Sequence, residues 1–131
     1  MTETCKHQIK DKKPLETDMT GAELIAEERR RQMEQEGWTP EHDDDHYPGD
    51  MAMAGACYAA HAACREAIER GDFEPYSQLE AAQRLVGRMW PWDNAWWKPK
   101  GQLRDLVRAG ALIAAEIDRL KRRDDKTANV I

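Results

Sequence analysis

Four of the five tryptophans in the chain lie within ten residues, in the segment WPWDNAWWKP at positions 90–99. Cations stand beside them, with Arg88 before the segment and Lys98 and Lys100 near its end. An indole face can stack on a flat base while lysine or arginine holds a phosphate, so this combination predicts a nucleotide-binding segment. For any single tryptophan, packing in the core is the alternative role. Packing of all four in the core is less expected. The predicted ligand-binding residues are Trp38, Trp90, Trp92, Trp96, Trp97, Lys98, Lys100, Arg104 and Glu28.

A second segment, whose side chains can bind a cation, joins the first two predicted helices. Residues 34–50 contain seven Asp and Glu residues and no Lys or Arg, so the segment repels itself unless a cation or a basic partner is present. Carboxylates suit Mg²⁺ or Mn²⁺, and His42 and His46 add nitrogen ligands one turn apart if Thr39 and Pro40 start a helix. A solvated loop that caps two helix N-termini is the alternative. The predicted metal-binding residues are Asp43, Asp44, Asp50 and Glu116, with Mg²⁺ as the candidate cofactor.

Polar residues on otherwise apolar helices are a weaker signal. Glu28, His61 and Glu116 can either line an internal pocket or serve as structural groups, for instance through an ion pair between Glu116 and Arg119. The sequence shows no nucleophile triad, glycine-rich phosphate loop or dinucleotide fingerprint. It therefore leaves enzymatic activity undecided and leans towards a protein that binds without catalysis.

Helical patterns surround both segments. Capping signals at Thr20 and Ser77, and helix stops at Gly37, Gly71 and Pro91, predict helices over 20–36, 50–70, 77–90 and 101–121, with Asp50 as an N-cap. No stretch alternates with the period of two that a strand requires. The predicted fold is all-α, a small bundle of about four helices with two long functional loops. It forms a single domain over residues 19–121, between a disordered tail at 1–18 and a flexible tail at 122–131.

Helical periodicity also predicts which side chains form the core. The run EERRRQMEQE in the first helix is predicted to be mostly a solvated face. On the second helix the predicted core face consists of Met53, Ala56, Cys57, Ala60, Cys64 and Ile68. On the fourth helix it consists of Leu103, Leu106, Val107, Gly110, Ile113, Ala114, Ile117 and Leu120.

Composition limits the classes of partner. The formal net charge of −5 argues against general DNA binding, and no apolar run is long enough for a membrane span. The N-terminal residues lack the apolar stretch of a secretory signal, so we expect a cytoplasmic protein. Cys5, Cys57 and Cys64 form no metal or disulfide pattern and are expected to be small core residues in a reducing compartment. A wide aromatic patch on a small domain also suggests a homo-oligomer.

The order of these motifs resembles a family of small proteins encoded by tailed phages and prophages. The resemblance covers roughly residues 22–121 and is carried by EGWTPEHDD, by WPWDNAWWKP and by DLVRAGALIAAEIDRL. Gly37-Trp38-Thr39 and Trp90-Pro91-Trp92 are also similar to RyR-type domains, which in bacteria occur beside sensors of nucleotide signals. The all-α pattern with an acidic loop is similar to MazG-like nucleotide pyrophosphohydrolases, whose ExxE and ExxD pairs hold Mg²⁺. Here residues 115–118 read AEID, which departs from ExxD.

Three functional hypotheses follow. The first is a phage-encoded binding protein that sequesters a nucleotide or a nucleotide-derived signal and so counteracts a host defence. The second is a Mg²⁺-dependent, MazG-like hydrolase of nucleotides. The third is an acidic inhibitor that presents residues 37–50 to a basic surface of a host defence protein.

Overall fold

The computed structural model describes residues 18–71, 74 and 77–130, and the side chains of all of these except 127–130. Its helices are α1 (Gly21–Gln35), α2 (Pro40–Asp44), α3 (Asp50–Arg70), α4 (Gln78–Met89) and α5 (Gln102–Val130), with a 3₁₀ turn at Asn94–Trp96. These ranges contain no strand, so the all-α prediction is confirmed for them. Apart from Asp18, the predicted N-terminal tail lies outside the described residues, as does Cys5.

The helix ends follow the local signals closely. Thr20 Oγ1 accepts a hydrogen bond from the Glu23 amide at 3.2 Å, and Glu23 Oε1 accepts one from the Thr20 amide at 3.0 Å. This reciprocal capping box starts α1, as predicted. One predicted cap is wrong: Gly49, with a φ of +91°, is the N-cap of α3, and Asp50 is its first helical residue. Glycine adopts a positive φ at little cost, so the N-cap position falls on Gly49 and not on Asp50.

The last helix is longer than predicted. It continues past residue 121 to Val130 and comprises 29 residues. Arg122 explains part of this extension, because its Nη2 donates to Asp44 Oδ1 at 2.7 Å and to the Pro40 carbonyl at 3.3 Å. These contacts tie the extra turns of α5 to α2, and the sequence after residue 121 contains no helix-breaking glycine or proline.

Helix α5 is the centre of the fold, since it contacts α1, α2 and α3, while α4 packs on α3. The approach of α3 to α5 is close because small residues meet there. A Cβ atom on Gly55 would lie 3.1 Å from both the Ala109 carbonyl oxygen and Ile113 Cγ1. Ala54, Tyr58, Ala109 and Leu112 form the buried cluster at this contact. Small side chains thus allow the two helix backbones to come together.

The predicted core faces are only partly correct. Cys57, Cys64 and Val107 are buried as expected, and both described cysteines are free thiols. The large apolar side chains of the predicted stripes are instead exposed; on α5 they are Leu103, Leu106, Ile113 and Ile117, and on α3 Met53 and Ile68. The face that α5 buries consists mainly of alanine, with Val107 and Leu112. The physical reason is that close helix packing selects small side chains, so the covered face is not the bulkiest one.

The charged run of α1 also differs from its prediction. Glu28, Arg29 and Gln32 are buried, so this part of α1 is not a solvated face.

Among the described residues, none of the helices combines the length and the apolar character needed to cross a bilayer. Self-association stays a prediction.

Candidate functional site

The first segment that shapes the site is the turn after α1. Gly37 adopts a φ of +75°, which lets the chain reverse, and the Trp38 amide then donates to the Gln32 carbonyl at 3.0 Å. Arg29 Nη1 donates to the Trp38 carbonyl at 3.2 Å, and Arg29 Nη2 donates to Asp43 Oδ2 at 2.5 Å. One buried arginine therefore fixes both the Trp38 backbone and the last turn of α2.

The second segment is the tryptophan-rich stretch between α4 and α5. Trp90 Nε1 donates to the Asp93 carbonyl at 3.1 Å, and Asp93 Oδ1 accepts from the Ala95 amide at 2.8 Å. At the far end, Asp105 Oδ1 accepts from the Lys100 amide at 2.8 Å. These short-range bonds hold the stretch in a folded turn at the start of α5.

Tyr58, on α3, holds this second segment against the core. Its hydroxyl oxygen accepts from the Lys98 amide at 3.2 Å and from Arg108 Nη1 at 3.2 Å, and it lies 3.5 Å from the Trp96 carbonyl as a donor. Arg108 also donates to the Lys98 carbonyl at 2.8 Å. The Tyr58 ring is 3% exposed. A single buried phenol thus positions the backbone that carries the lysines.

Ring contacts connect the two segments. Trp38 and His42 are parallel, with ring centroids 6.3 Å apart. His42 then meets His46 at 4.9 Å, and His46 meets Trp92 at 5.0 Å. Trp92 meets Trp90 edge to face at 5.5 Å. The aromatic side chains of both segments therefore form one continuous wall.

Two adjoining cavities lie along this wall, and we call them together the aromatic cleft. The first has a volume of about 350 Å³ and the second of about 310 Å³. Both are lined by Trp38, Trp92, Trp96 and Leu112. Cavities of roughly 300–1,000 Å³ with apolar walls and a few polar groups are typical of small-molecule sites. The cleft is thus of a size to hold a small ligand.

The first cavity defines what we call the His/Asp end of the cleft. Its lining includes His42, Asp43, His46 and Asp93. Asp43 is 1% exposed, and His42 Nδ1 lies 3.8 Å from Asp43 Oδ1. Burial, helped by the neighbouring His42, lowers the pKa of His46, although nearby carboxylates oppose the change. A lowered pKa favours the neutral imidazole, which has a lone pair for a hydrogen bond or a metal.

The second cavity defines the cation end. Its lining includes four cations, Arg31, Lys98, Lys100 and Arg108, and one carboxylate, Glu36. Arg31 is paired with Glu36 at 2.9 Å, while Lys98 Nζ lies 5.9 Å from the centre of the Trp96 ring. Gln32 Oε1 and Trp92 Nε1 also belong to lining residues, are buried, and have no hydrogen-bond partner within the described residues. The cation end thus offers positive charge, a donor and an acceptor beside an aromatic wall.

Most of the predicted ligand-binding residues meet in the cleft. Trp38, Trp92 and Trp96 line both cavities, and Trp90, Lys98 and Lys100 line the second. Trp97 instead packs against Tyr58, with ring centroids 4.6 Å apart and the rings tilted by 32°, and it lines neither cavity.

The remaining two predicted ligand-binding residues bind each other. Glu28 is 2% exposed and accepts hydrogen bonds from Arg31 and from Arg104, the latter at 2.7 Å. Neither Glu28 nor Arg104 lines the two cavities. Their contact joins α1 to α5, so their role here is structural.

The predicted metal-binding carboxylates do not come together as one set. Asp43 lines the first cavity, whereas Asp44 pairs with Arg122 at 2.7 Å and Glu116 pairs with Arg119. Asp50 lies in the first turn of α3. The described residues contain one group of three side chains with ligand atoms within 4.8 Å of one another, namely His42, Asp43 and His46. The predicted short helix does start with Thr39 as its N-cap and Pro40 as its first residue, but it ends at Asp44, so His42 lies on it and His46 lies in the turn that follows.

Sequence reasoning missed several residues that shape the cleft. Arg29, Arg31 and Gln32 lie within a charged run whose pattern resembles a solvated face, so the sequence did not indicate that Arg29 and Gln32 are buried or that Arg31 lines the cleft. Tyr58 did offer one, because it is the single aromatic residue in the alanine-rich sequence of α3. Arg108 lies one turn after Arg104 in the sequence. What identifies Arg108 as a residue of the cleft is its hydrogen bond to Tyr58, which only the folded structure shows.

Comparisons of this chain with models of protein families, with curated proteins and with solved structures find no match. The resemblance to a phage protein family stays a prediction, and so do the similarities to RyR-type domains and to MazG-like hydrolases. The cytoplasmic location likewise stays a prediction.

Proposed function

We propose that this protein binds a nucleotide or a nucleotide-derived signal in the aromatic cleft and sequesters it. The observation that carries the proposal is the cation end: Lys98, Lys100 and Arg108 line it beside a tryptophan wall, in a chain whose net charge is −5. The fourth cation there, Arg31, is held by Glu28 and Glu36. Positive charge concentrated against an otherwise acidic protein favours an anion at that place. A tryptophan wall adds a stacking surface for a base.

The arrangement of the two loops supports a specific binding mode. The base stacks on the wall formed by Trp38, Trp92 and Trp96, and the phosphate reaches Lys98 and Lys100. Within the described residues neither lysine ammonium forms an ion pair, so both charges can serve a ligand. The buried Trp92 Nε1 and Gln32 Oε1 supply a donor and an acceptor for the polar edge of a base. The proposed ligand contacts thus come from Gln32 of α1, from Trp38 after it, and from the tryptophan-rich segment before α5.

The two alternatives draw less support from the geometry. A Mg²⁺-dependent hydrolase needs several carboxylates that converge on a metal. Asp43 groups with two histidines instead, while Asp44 pairs with Arg122 and Glu116 with Arg119. An acidic inhibitor needs a broad surface of exposed carboxylates, whereas in this segment Asp43 is buried and Asp44 is engaged by Arg122, which leaves Glu41 and Asp45 exposed. Sequestration of a host signal by a phage-encoded protein therefore remains the function that we propose.

The test is a binding screen that reads tryptophan fluorescence and melting temperature. Mononucleotides, cyclic oligonucleotides and NAD derivatives are each added with and without Mg²⁺. We expect at least one of them to change the fluorescence and to raise the melting temperature, because a ligand that binds only the native state stabilises it. Formation of a product would instead support the hydrolase, and no change with any ligand would contradict the proposal.

Matched variants locate the binding in the cleft. Trp96 is 60% exposed, so Trp96→Ala removes stacking surface with little loss of packing, and we expect about 1–3 kcal/mol weaker binding. Tyr47→Ala is its control, because Tyr47 is 77% exposed and does not line either cavity. Lys100→Ala should weaken binding and reduce its salt dependence, whereas Lys121→Ala, an exposed position on α5, should not. Equal effects within either pair would place the ligand elsewhere.

A further inference from the structure

The His/Asp end contains a group of side chains that the proposed function does not use. His42 and Asp43 belong to α2, and His46 follows it in a turn in which the His46 amide donates to the Asp43 carbonyl at 3.3 Å. This turn brings His46 back beside His42, with ring centroids 4.9 Å apart. Two imidazoles and one carboxylate thereby offer ligand atoms that all lie within 4.8 Å of one another.

The carboxylate in this group is already oriented. Arg29 holds Asp43 Oδ2 at 2.5 Å and also donates to the Trp38 carbonyl, so the side chain of Asp43 cannot turn away. Asp43 Oδ1 is the oxygen that lies towards His42. Carboxylates that bind metals are commonly held by a hydrogen bond from a second residue, which fixes their direction. Arg29 occupies that supporting position here.

The two imidazoles differ in freedom. His46 is half-buried and packs on Trp92, with ring centroids 5.0 Å apart, so its place is set by the aromatic wall. The His42 side chain is 44% exposed and can rotate. Ligand bonds of roughly 2.0–2.1 Å place tetrahedral ligand atoms about 3.3 Å apart. Rotation of His42 can shorten the distances from its ring nitrogens to the other two ligand atoms.

We propose that His42, Asp43 and His46 bind one divalent transition-metal ion of the zinc class at the His/Asp end of the cleft. Two imidazole nitrogens and one carboxylate oxygen suit Zn²⁺, Co²⁺ or Ni²⁺, whereas Mg²⁺ prefers a set of oxygens. Three protein ligands leave a coordination position open, and it faces the first cavity. The site therefore differs from the all-carboxylate magnesium set predicted from the sequence, and it does not depend on nucleotide binding.

The test is a titration of untagged, chelator-treated protein with Co²⁺ and with Zn²⁺. Calorimetry gives the stoichiometry and the affinity, and the visible absorption of Co²⁺ reports its ligands. We expect one ion per chain at micromolar concentrations, with spectra that indicate nitrogen ligands. His42→Ala is the cleanest variant because that side chain is exposed, and we expect it to weaken binding by roughly tenfold or more. His46→Ala should weaken binding similarly.

Three controls make the result specific. Asp44→Asn changes the neighbouring carboxylate, which pairs with Arg122, and should leave the affinity unchanged. His7→Ala and His61→Ala change the other two histidines of the chain and should also leave it unchanged. Absence of binding at micromolar concentrations would overturn the proposal. Binding that survives both His42→Ala and His46→Ala, or that Asp44→Asn abolishes equally, would overturn it too. Nucleotide binding measured on the same His42→Ala protein separates this outcome from failure of the proposed function.

Discussion

The two ends of the aromatic cleft share a tryptophan wall but are held in place by different kinds of interaction. A buried ion pair between Arg29 and Asp43 fixes the His/Asp end. The neutral hydroxyl and ring of Tyr58 fix the cation end. The first end therefore uses its charges to hold its own shape, whereas the second leaves its lysine charges for a ligand. This difference indicates that the cation end is built for an anion and the His/Asp end for a fixed set of ligand atoms.

The largest expected effect on this difference between the two ends comes from Arg29→Met. The change leaves Asp43 buried without its cation, and loss of one partner of a buried ion pair costs about 3–5 kcal/mol. Urea unfolding would measure the loss in the free energy of unfolding. Arg30→Met is the matched control, because Arg30 forms an exposed pair with Glu27 and should change stability by less than about 1 kcal/mol. Similar values for the two variants would mean that the buried pair does not hold the His/Asp end.

A smaller effect is expected at the cation end from Tyr58→Phe. The ring packing stays, but the Lys98 amide and Arg108 lose a shared acceptor, which should cost about 1–3 kcal/mol. Thermal unfolding measures the cost, and near-ultraviolet circular dichroism reports the movement of the neighbouring tryptophans. Tyr47→Phe removes a hydroxyl from a side chain that is 77% exposed, and it should leave both signals unchanged. An unchanged melting temperature for Tyr58→Phe would show that packing alone holds this end.

The smallest expected effect is a dependence on acid pH. Burial by itself raises the pKa of Glu28, but hydrogen bonds from Arg31 and the charge of Arg104 outweigh it and hold the pKa below the ordinary value of 4.5. The unfolded chain therefore binds this proton more readily than the native one. The stability that Glu28 contributes is present above about pH 4.5 and is lost as the pH falls through the lower native pKa.

Glu28→Gln provides the measurement for that dependence. Urea unfolding of both proteins between neutral and acid pH should show a smaller loss of stability for the variant over the same range. Glu34→Gln is an exposed control on the same helix. An equal loss in wild type and in Glu28→Gln would assign the acid sensitivity to other groups. A larger loss in wild type would show that Arg31 and Arg104 stabilise the Glu28 carboxylate in the folded protein.

Local signals predicted the helices, since capping and stop residues act within a few positions. The box at Thr20 and Glu23 and the stop at Gly71 depend on the backbone near them, and both formed as expected. Trp38, Trp90, Trp92 and Trp96 were grouped from the sequence as ligand-binding residues, and all four line the cleft. The loops that carry these residues could be recognised because their composition is unusual.

What could not be predicted depends on contacts between distant helices. Periodicity shows that Leu106 and Ile113 share a face of α5, but not whether that face is covered. Gly55 on α3 determines which face of α5 is covered, because it has no side chain and so allows α5 to approach closely on the side of Ala109. The burial of Arg29 could not be predicted either, since its partner Asp43 lies fourteen positions away across a turn. Grouping of His42, Asp43 and His46 required knowledge of that same turn.

The crowding of indoles described above has a spectroscopic consequence. Trp90 lies 5.5 Å from Trp92 and 4.9 Å from Trp97, and both pairs are inclined steeply to one another. Transition dipoles at such separations couple, so light absorbed by one indole is shared with its neighbours. The near-ultraviolet circular dichroism of this protein should therefore show the paired bands of an exciton couplet, and substitution of one indole should alter the signal of the others.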